Sequence, residues 1–322
     1  MKESNILHKI KWGTYVFFSE IYDYAIIGKT GSLSIYSSDG EIVLCVGFKH
    51  TNFAIESKKH KKLFVKSTTG QICAIDYATN QHKTLRRKIG EGYTAFVSHD
   101  EDYVFFISWT LEVLAVNIAT LEQTLCYDIK EIFGAGRIKA FLKKSCDTPG
   151  YIFTGTGQKS AWDDAANSLF FDVDLFARTY NEIYMPLPLA APYQNNPICK
   201  HIYIPELDGY VLLYRVGAYA DLTHIKLIKD SKEVFCFDSG LFALSTNFKV
   251  FHREAQQIYI ALSPETIILF DFGRCKITKI FKSAYDIADI SYNKRADELV
   301  LIYLYGSGIA AMDDFDDFPG FG

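Results

Sequence analysis

The sequence predicts an all-β fold built from consecutive four-stranded antiparallel meanders. Three observations predict it. First, residues 93–129 divide into four short apolar runs, Tyr93–Val97, Tyr103–Ser108, Val113–Val116 and Thr124–Ile129. These are rich in Val, Ile, Phe and Tyr, which suit a pleated, half-buried surface. Polar turns at 98–102, 109–112 and 117–123 separate runs too short for helices, the pattern of up-and-down strands. Second, the same pattern recurs along the chain. Third, 49% of the residues are hydrophobic and 15% aromatic, ample material for a core and no signature of disorder.

The recurrence sets the architecture. Third-strand endings fall at Tyr36, Asp76, Asn117, Asp174, Asp271 and Met312, steps of 40, 41, 57, 97 and 41 by subtraction. The step of 97 reads as two repeats and that of 57 as one repeat with an insertion. A period of about 40 residues with four strands in each repeat is the signature of a β-propeller. Seven units fit: 14–47, 51–88, 93–129, 137–187, 198–238, 248–281 and 286–312, with six blades the alternative because unit five carries the weakest signal.

Each unit carries its own signals. Unit one ends its third strand at Ser34-Ile35-Tyr36. Unit two has Ile55-Glu56-Ser57 before Leu63-Phe64-Val65, then Cys73–Asn80 (CAIDYATN). Unit three has Val97-Ser98-His99-Asp100 before Tyr103-Val104, then AVNIATL. Unit four alternates Phe171, Val173 and Leu175 with Asp172 and Asp174, which is strand spacing. It carries an insertion, Thr154–Asn167, expected between its second and third strands, with Ser160 and Asp163 opening one helical turn. Unit five is flanked and interrupted by long connections, Pro188–Pro197 and Val216–Asp221. Unit six has Phe251-His252-Arg253 before Ile258-Tyr259-Ile260. Unit seven has Ile290-Ser291-Tyr292 before Leu299-Val300-Leu301 and only three strands, so Ile6–Ile10 is expected to supply the fourth and remove an open edge. Residues 1–312 then form one domain, and 313–322 an acidic tail with interleaved Phe that reads as a short docking segment or as rings folded onto the domain.

The tract AFVSHDEDYVFFIS resembles the first hairpin of WD40-like and YVTN-like propellers, and AIDYATN and AVNIATL resemble their third-strand endings. The resemblance implies the propeller fold and no particular activity. The Gly-His and Trp-Asp marks of true WD40 repeats are missing, as are Kelch Gly-Gly pairs, the sialidase Asp-box and the quinoprotein Trp motif.

Several function classes are disfavoured. A net charge of −4 argues against a general nucleic-acid binder. The N-terminus has no apolar core or cleavage site of a secretory signal, and no apolar run reaches the roughly 18 residues that span a bilayer. Seven cysteines without CxxC spacing fit buried free thiols in a reducing compartment. A cytoplasmic protein is therefore expected. Gly155-Thr-Gly-Gln-Lys-Ser160 is not a phosphate loop, because Gln parts Gly from Lys and no long helix follows. Ser98-His99-Asp100 reads as turn chemistry, since neighbours on a tight turn cannot converge as a triad. The eight histidines show no ligand spacing. No catalytic residue, cofactor or metal site is expected.

Two surfaces remain. The enlarged connections of units four and five emerge on one propeller face, and surplus loops are where function concentrates. Trp162, Tyr193 and Tyr219 are the expected aromatic anchors for a partner protein, with Lys159, Asp163, Asp164 and Asp221 as the polar rim. An immunity-type protein that blocks a bacterial toxin is one version of such a module. The alternative is a metal-dependent lactonase or hydrolase with carboxylates at the central pore. The second surface is basic: Lys58, Lys59, Lys61, Lys62, Arg86 and Arg87, the one hint of nucleic acid, otherwise a solvated hairpin and a protected edge.

Overall fold

The computed structural model describes residues 13–86, 88–90, 94–108, 112–128, 130–133, 139–142, 152–158, 168–183, 198–204, 209–216, 222–229, 232–238, 250–253, 256–261, 266–282, 287–295, 297–303 and 309–311. The chain is all-β, with one helical turn, Lys130–Phe133, among the described residues. The turn expected at Ser160–Asp163, the strand expected at Ile6–Ile10 and the tail 313–322 lie outside the described residues. No described helix is long and apolar enough to cross a membrane.

Among the described residues seven antiparallel sheets follow one another, six of four strands and the last of three, each a simple meander in chain order. Sheet one is Tyr15–Phe18, Ala25–Gly28, Leu33–Tyr36 and Ile42–Val46. Sheet two is Thr51–Ser57, Lys62–Ser67, Ile72–Asp76 and Gln81–Thr84. Sheet three is Thr94–Val97, Tyr103–Ile107, Glu112–Asn117 and Gln123–Asp128. Sheets four, five and six begin at Lys139, Ile198 and Val250 and end at Ile183, Asp238 and Lys282. Sheet seven is Ile287–Asn293, Glu298–Tyr303 and Ile309–Ala311. The third strand of sheet five ends at Lys229, which divides the interval of 97 residues into 55 and 42.

In sheets one, two, three and six the second and third strands are buried on both faces, as Leu63–Val65 and Val113–Val116 are. They therefore read as continuous apolar runs. Fourth strands vary: Gln81–Thr84 is exposed throughout, whereas Ile42–Val46 and Lys276–Lys282 each bury one residue, Val46 and Ile280. Cys45, on the fourth strand of sheet one, is exposed rather than buried, whereas Cys73 is buried as expected.

One turn geometry joins third to fourth strands. Gly40, Asn80, Leu121, Arg178 and Cys275, each four residues after a third-strand end, have positive φ between 50° and 81°. The preceding Asp76, Asn117, Asp174 and Asp271 accept backbone N–H groups two or three residues on, the local bonding that makes Asp and Asn turn residues. The ladder between third and fourth strands then shifts register in sheets one, three, five and six. Such bulges add one residue and increase twist.

The core lies between sheets. One buried cluster joins Ile26, Leu33 and Ile35 of sheet one to Leu63, Val65 and Ile75 of sheet two. A second joins Phe64 and Ile72 to Val104, Phe106 and Leu114 of sheet three. Tyr259, Ile267 and Leu269 of sheet six meet Ile290, Leu299 and Leu301 of sheet seven. Val300 of sheet seven packs with Val16, Ala25 and Ile27 of sheet one. Sheet three meets sheet four where the Tyr127 hydroxyl donates to the Leu175 carbonyl at 2.9 Å. Sheets five and six meet at Phe237 and Phe270, ring centroids 5.0 Å apart.

Candidate functional site

The two ends of each meander differ. The first-to-second and third-to-fourth turns leave one end, here the hairpin end. The second-to-third turn and the link to the next sheet leave the other, the link end. In sheet four the central ladder runs from Ile152↔Asp174 to Gln158↔Ser168, so residues 159–167 depart from the link end. In sheet five it runs to Val216↔Leu222, so 217–221 depart from the corresponding end. Residues 184–197 join Ile183 to Ile198, again at link ends. All three enlarged connections thus leave from the link ends of sheets four and five. Lys159, Trp162, Asp163, Asp164, Tyr193, Tyr219 and Asp221 themselves lie outside the described residues.

The insertion of sheet four is shorter than expected. Thr154–Gln158, read as loop, is the last five residues of the seven-residue strand Ile152–Gln158. Gly155 pairs with Leu142 on one side and Phe171 on the other. Its backbone belongs to a central ladder and cannot cradle phosphate. Gly and Thr alternating in a strand carry no apolar periodicity, which is why the sequence hid it.

At the hairpin end, charged side chains cross from sheet to sheet. The Ser19 hydroxyl caps its turn, accepting from the N–H groups of Ile21 and Tyr22 at 3.1 Å. It donates to Glu56 of sheet two at 2.7 Å. Glu56 also accepts from the Glu20 N–H and the Tyr77 hydroxyl. The arrangement recurs one sheet on, where Ser57 caps its turn at His60 and donates to Glu101 of sheet three at 2.6 Å. Lys59 reaches Asp102 at 2.6 Å, and Lys62 donates to the Ile118 carbonyl at 3.2 Å. Arg253 of sheet six pairs with Asp297 of sheet seven, which also accepts from Tyr292 at 2.7 Å. Glu20 binds Lys58 of sheet two at 2.7 Å and Lys294 of sheet seven at 3.2 Å.

These contacts set the ionisation of the belt. Burial pushes the Glu56 carboxyl up, outweighing its three donors. Burial also acts to raise Glu20, but Lys58 and Lys294 overcome it and hold that carboxyl below its usual range. Asp297 is likewise held down, against its burial, by Arg253 and Tyr292. The Tyr77 phenol is driven up by burial and by the Glu56 charge.

The basic patch divides. Lys58, Lys59, Lys61 and Lys62 sit at the hairpin end of sheet two, where Lys58 and Lys59 pair with acids of the flanking sheets. Arg86 follows the fourth strand at the opposite end of that sheet, where the Leu85 N–H bonds Ile72; Arg87 lies outside the described residues. Among the described residues the lysines of 58–62 and Arg86 thus sit at opposite ends of sheet two. Ser98-His99-Asp100 is a turn: the Ser98 hydroxyl donates to Asp100 at 2.6 Å and accepts from the Tyr103 N–H. Among the described residues, no three His, Cys, Asp or Glu side chains converge as a metal ion requires.

The acidic latches at Glu20, Glu56 and Glu101 were missed in the sequence. A signal was present: Ser19, Ser57 and Ser98 recur at first-strand ends, 38 and 41 residues apart by subtraction. Compared with known proteins, the chain matches no family model and no curated sequence.

Proposed function

We propose that the seven sheets are the blades of a closed β-propeller that binds another protein through its link-end connections at sheets four and five, without catalysing a reaction. The closed ring is supported by the contacts between sheets one and two, two and three, three and four, five and six, six and seven, and seven and one. In this reading Ile6–Ile10 completes sheet seven and abolishes its edge. The WD40-like and YVTN-like resemblance of the first hairpins and third-strand endings is of the same kind, one of fold.

The observation that carries the binding reading is that all three enlarged connections leave from link ends of two consecutive sheets, which a propeller would gather on one face. A ring needs only short turns there, as Lys29–Ser32 of sheet one illustrates with its single bond at 2.7 Å. Surplus chain gathered on one side, carrying Trp162, Tyr193 and Tyr219 among charged residues, has the composition of an interface centre with a polar rim. An immunity-type inhibitor of a toxin is a module of this class.

The test is affinity purification of the tagged protein from its native organism with mass spectrometry. Wild type is expected to retain a stoichiometric protein that the Trp162→Ala/Tyr219→Ala double variant loses at unchanged melting temperature. An unchanged set of co-purifying proteins would overturn the reading. So would stoichiometric divalent metal in the pure protein together with turnover of a lactone or ester.

A further inference from the structure

We propose that the link end of sheets one and two is a basic surface that docks an acidic segment of a partner protein. Charge is segregated along these two sheets. Every acid described within 13–90, Glu20, Asp23, Asp39, Glu41, Glu56 and Asp76, lies at or beside a hairpin-end turn. Two cations of that end are paired, Lys58 with Glu20 and Lys59 with Asp102. At the link end Lys49, Arg86 and Lys88 are exposed. None of these three forms an ion pair among the described residues. Lys83, exposed on the fourth strand of sheet two, adds a further cation beside them. Lys29 stands at the link end of sheet one, its Nζ 3.5 Å from the Tyr36 hydroxyl.

Backbone bonds bring the three cations to one turn, Ser67–Gln71. The Thr68 N–H donates to the His50 carbonyl at 2.9 Å, which sets Lys49 on one flank. The Ile89 N–H donates to the Gly70 carbonyl at 3.1 Å, which sets Lys88 on the other. Thr68 and Gly70 are two residues apart, so at most about 7 Å separates the two anchor points. Arg86 follows Leu85, whose N–H holds the Ile72 carbonyl just past the same turn at 2.9 Å. Cations this close repel one another over a Debye length of roughly 8 Å, and an anionic partner relieves that repulsion. The backbone of the turn does not cradle a small anion: the Thr68, Gly70 and Gln71 N–H groups are taken by the His50 carbonyl, the Ser67 carbonyl and the Ser67 hydroxyl. What remains is charge on long flexible stems, which suits carboxylates spaced along a chain. Nucleic acid is the poorer fit. Phe48, the ring beside Lys49, is buried and gives no platform for a base to stack on, and the chain carries a net charge of −4.

The surface is independent of what the connections of sheets four and five bind. Fluorescence anisotropy tests it, with the full chain and a labelled oligoglutamate peptide of about ten residues at about 50 mM and about 200 mM salt. Wild type is expected to bind the peptide, more weakly at the higher salt. Lys49→Gln/Arg86→Gln/Lys88→Gln should weaken binding by about three- to hundredfold at unchanged melting temperature, the scale of three exposed ion pairs. The same charge change at the hairpin end, Lys61→Gln/Arg274→Gln/Lys276→Gln, should stay within about twofold of wild type. Trp162→Ala/Tyr219→Ala should bind the peptide as wild type does, so the two readings fail separately. Absence of peptide binding by wild type, equal weakening by the two triple variants, or tighter binding of a single-stranded RNA of equal charge through the same three cations would each overturn the proposal.

Discussion

Replacing Gly70 by Ala should cost about 3–6 kcal/mol, and the structure supplies each part of that figure. Gly70 closes the turn between the second and third strands of sheet two, with φ at +79°. A side chain in this left-handed region costs about 1–2 kcal/mol. The added Cβ would stand 1.6 Å from the Ile89 carbonyl oxygen and 2.8 Å from its carbon. Backbone cannot yield by rotating a side chain, so the segment 88–90 must move outward. That breaks the bond from the Ile89 N–H to the Gly70 carbonyl, now 3.1 Å, at about 1 kcal/mol. It also withdraws Ile89, 2% exposed in the cluster between sheets two and three. Exposing a residue of that size costs about 1.5–3 kcal/mol. Gly31→Ala is the control, since its Cβ meets nothing within 4 Å and its φ is not left-handed. It should lie within about 0.5 kcal/mol of wild type or be slightly stabilising. Urea unfolding followed by far-ultraviolet circular dichroism gives both values. If Gly70→Ala falls within about 1 kcal/mol of Gly31→Ala, the close approach of 88–90 to this turn is wrong.

Two further predictions concern the junctions. Tyr127→Phe removes the donor to the Leu175 carbonyl but keeps the ring beneath the Arg178 guanidinium, 4.4 Å from its centroid. It should destabilise by about 1–3 kcal/mol, the cost of leaving a buried acceptor unpaired, measured as a shift in urea midpoint at unchanged slope. Glu56 behaves oppositely to Glu20, because burial raises its pKa. Its contribution is present below the ordinary glutamate value and is lost as the pH rises through the higher folded one. Wild type should therefore gain stability relative to Glu56→Gln between pH 7 and pH 5, checked by urea midpoints at the two pH values; a constant difference would refute the burial of that carboxyl.

Much of the fold could be read from short-range patterns, and particular residues show why. The unit Tyr93–Ile129 became Thr94–Val97, Tyr103–Ile107, Glu112–Asn117 and Gln123–Asp128, because alternating apolar runs and turn residues act within a few positions. Asp76 and Asn117 marked third-strand ends because their side chains bond N–H groups two or three residues away. The strand Ile152–Gln158 was hidden because Gly and Thr give no periodicity, and its place in the ladder depends on partners up to 22 positions away by subtraction, Ile152 and Asp174. The basic run 58–62 looked like a free surface because its acidic partners, Glu20 and Asp102, lie some forty residues to either side.

By itself the sequence determined that this chain is all-β, where its meanders begin and end, and where chain surplus to the turns accumulates. These follow from local hydrogen bonding and from the two-residue alternation of a strand, which act between near neighbours. Only the tertiary structure decided which sheets touch and which charges meet, as when Glu20 is brought to Lys294. Coulombic partners are chosen by proximity in space, and nothing in the spacing of Glu20 and Lys294 along the chain encodes it.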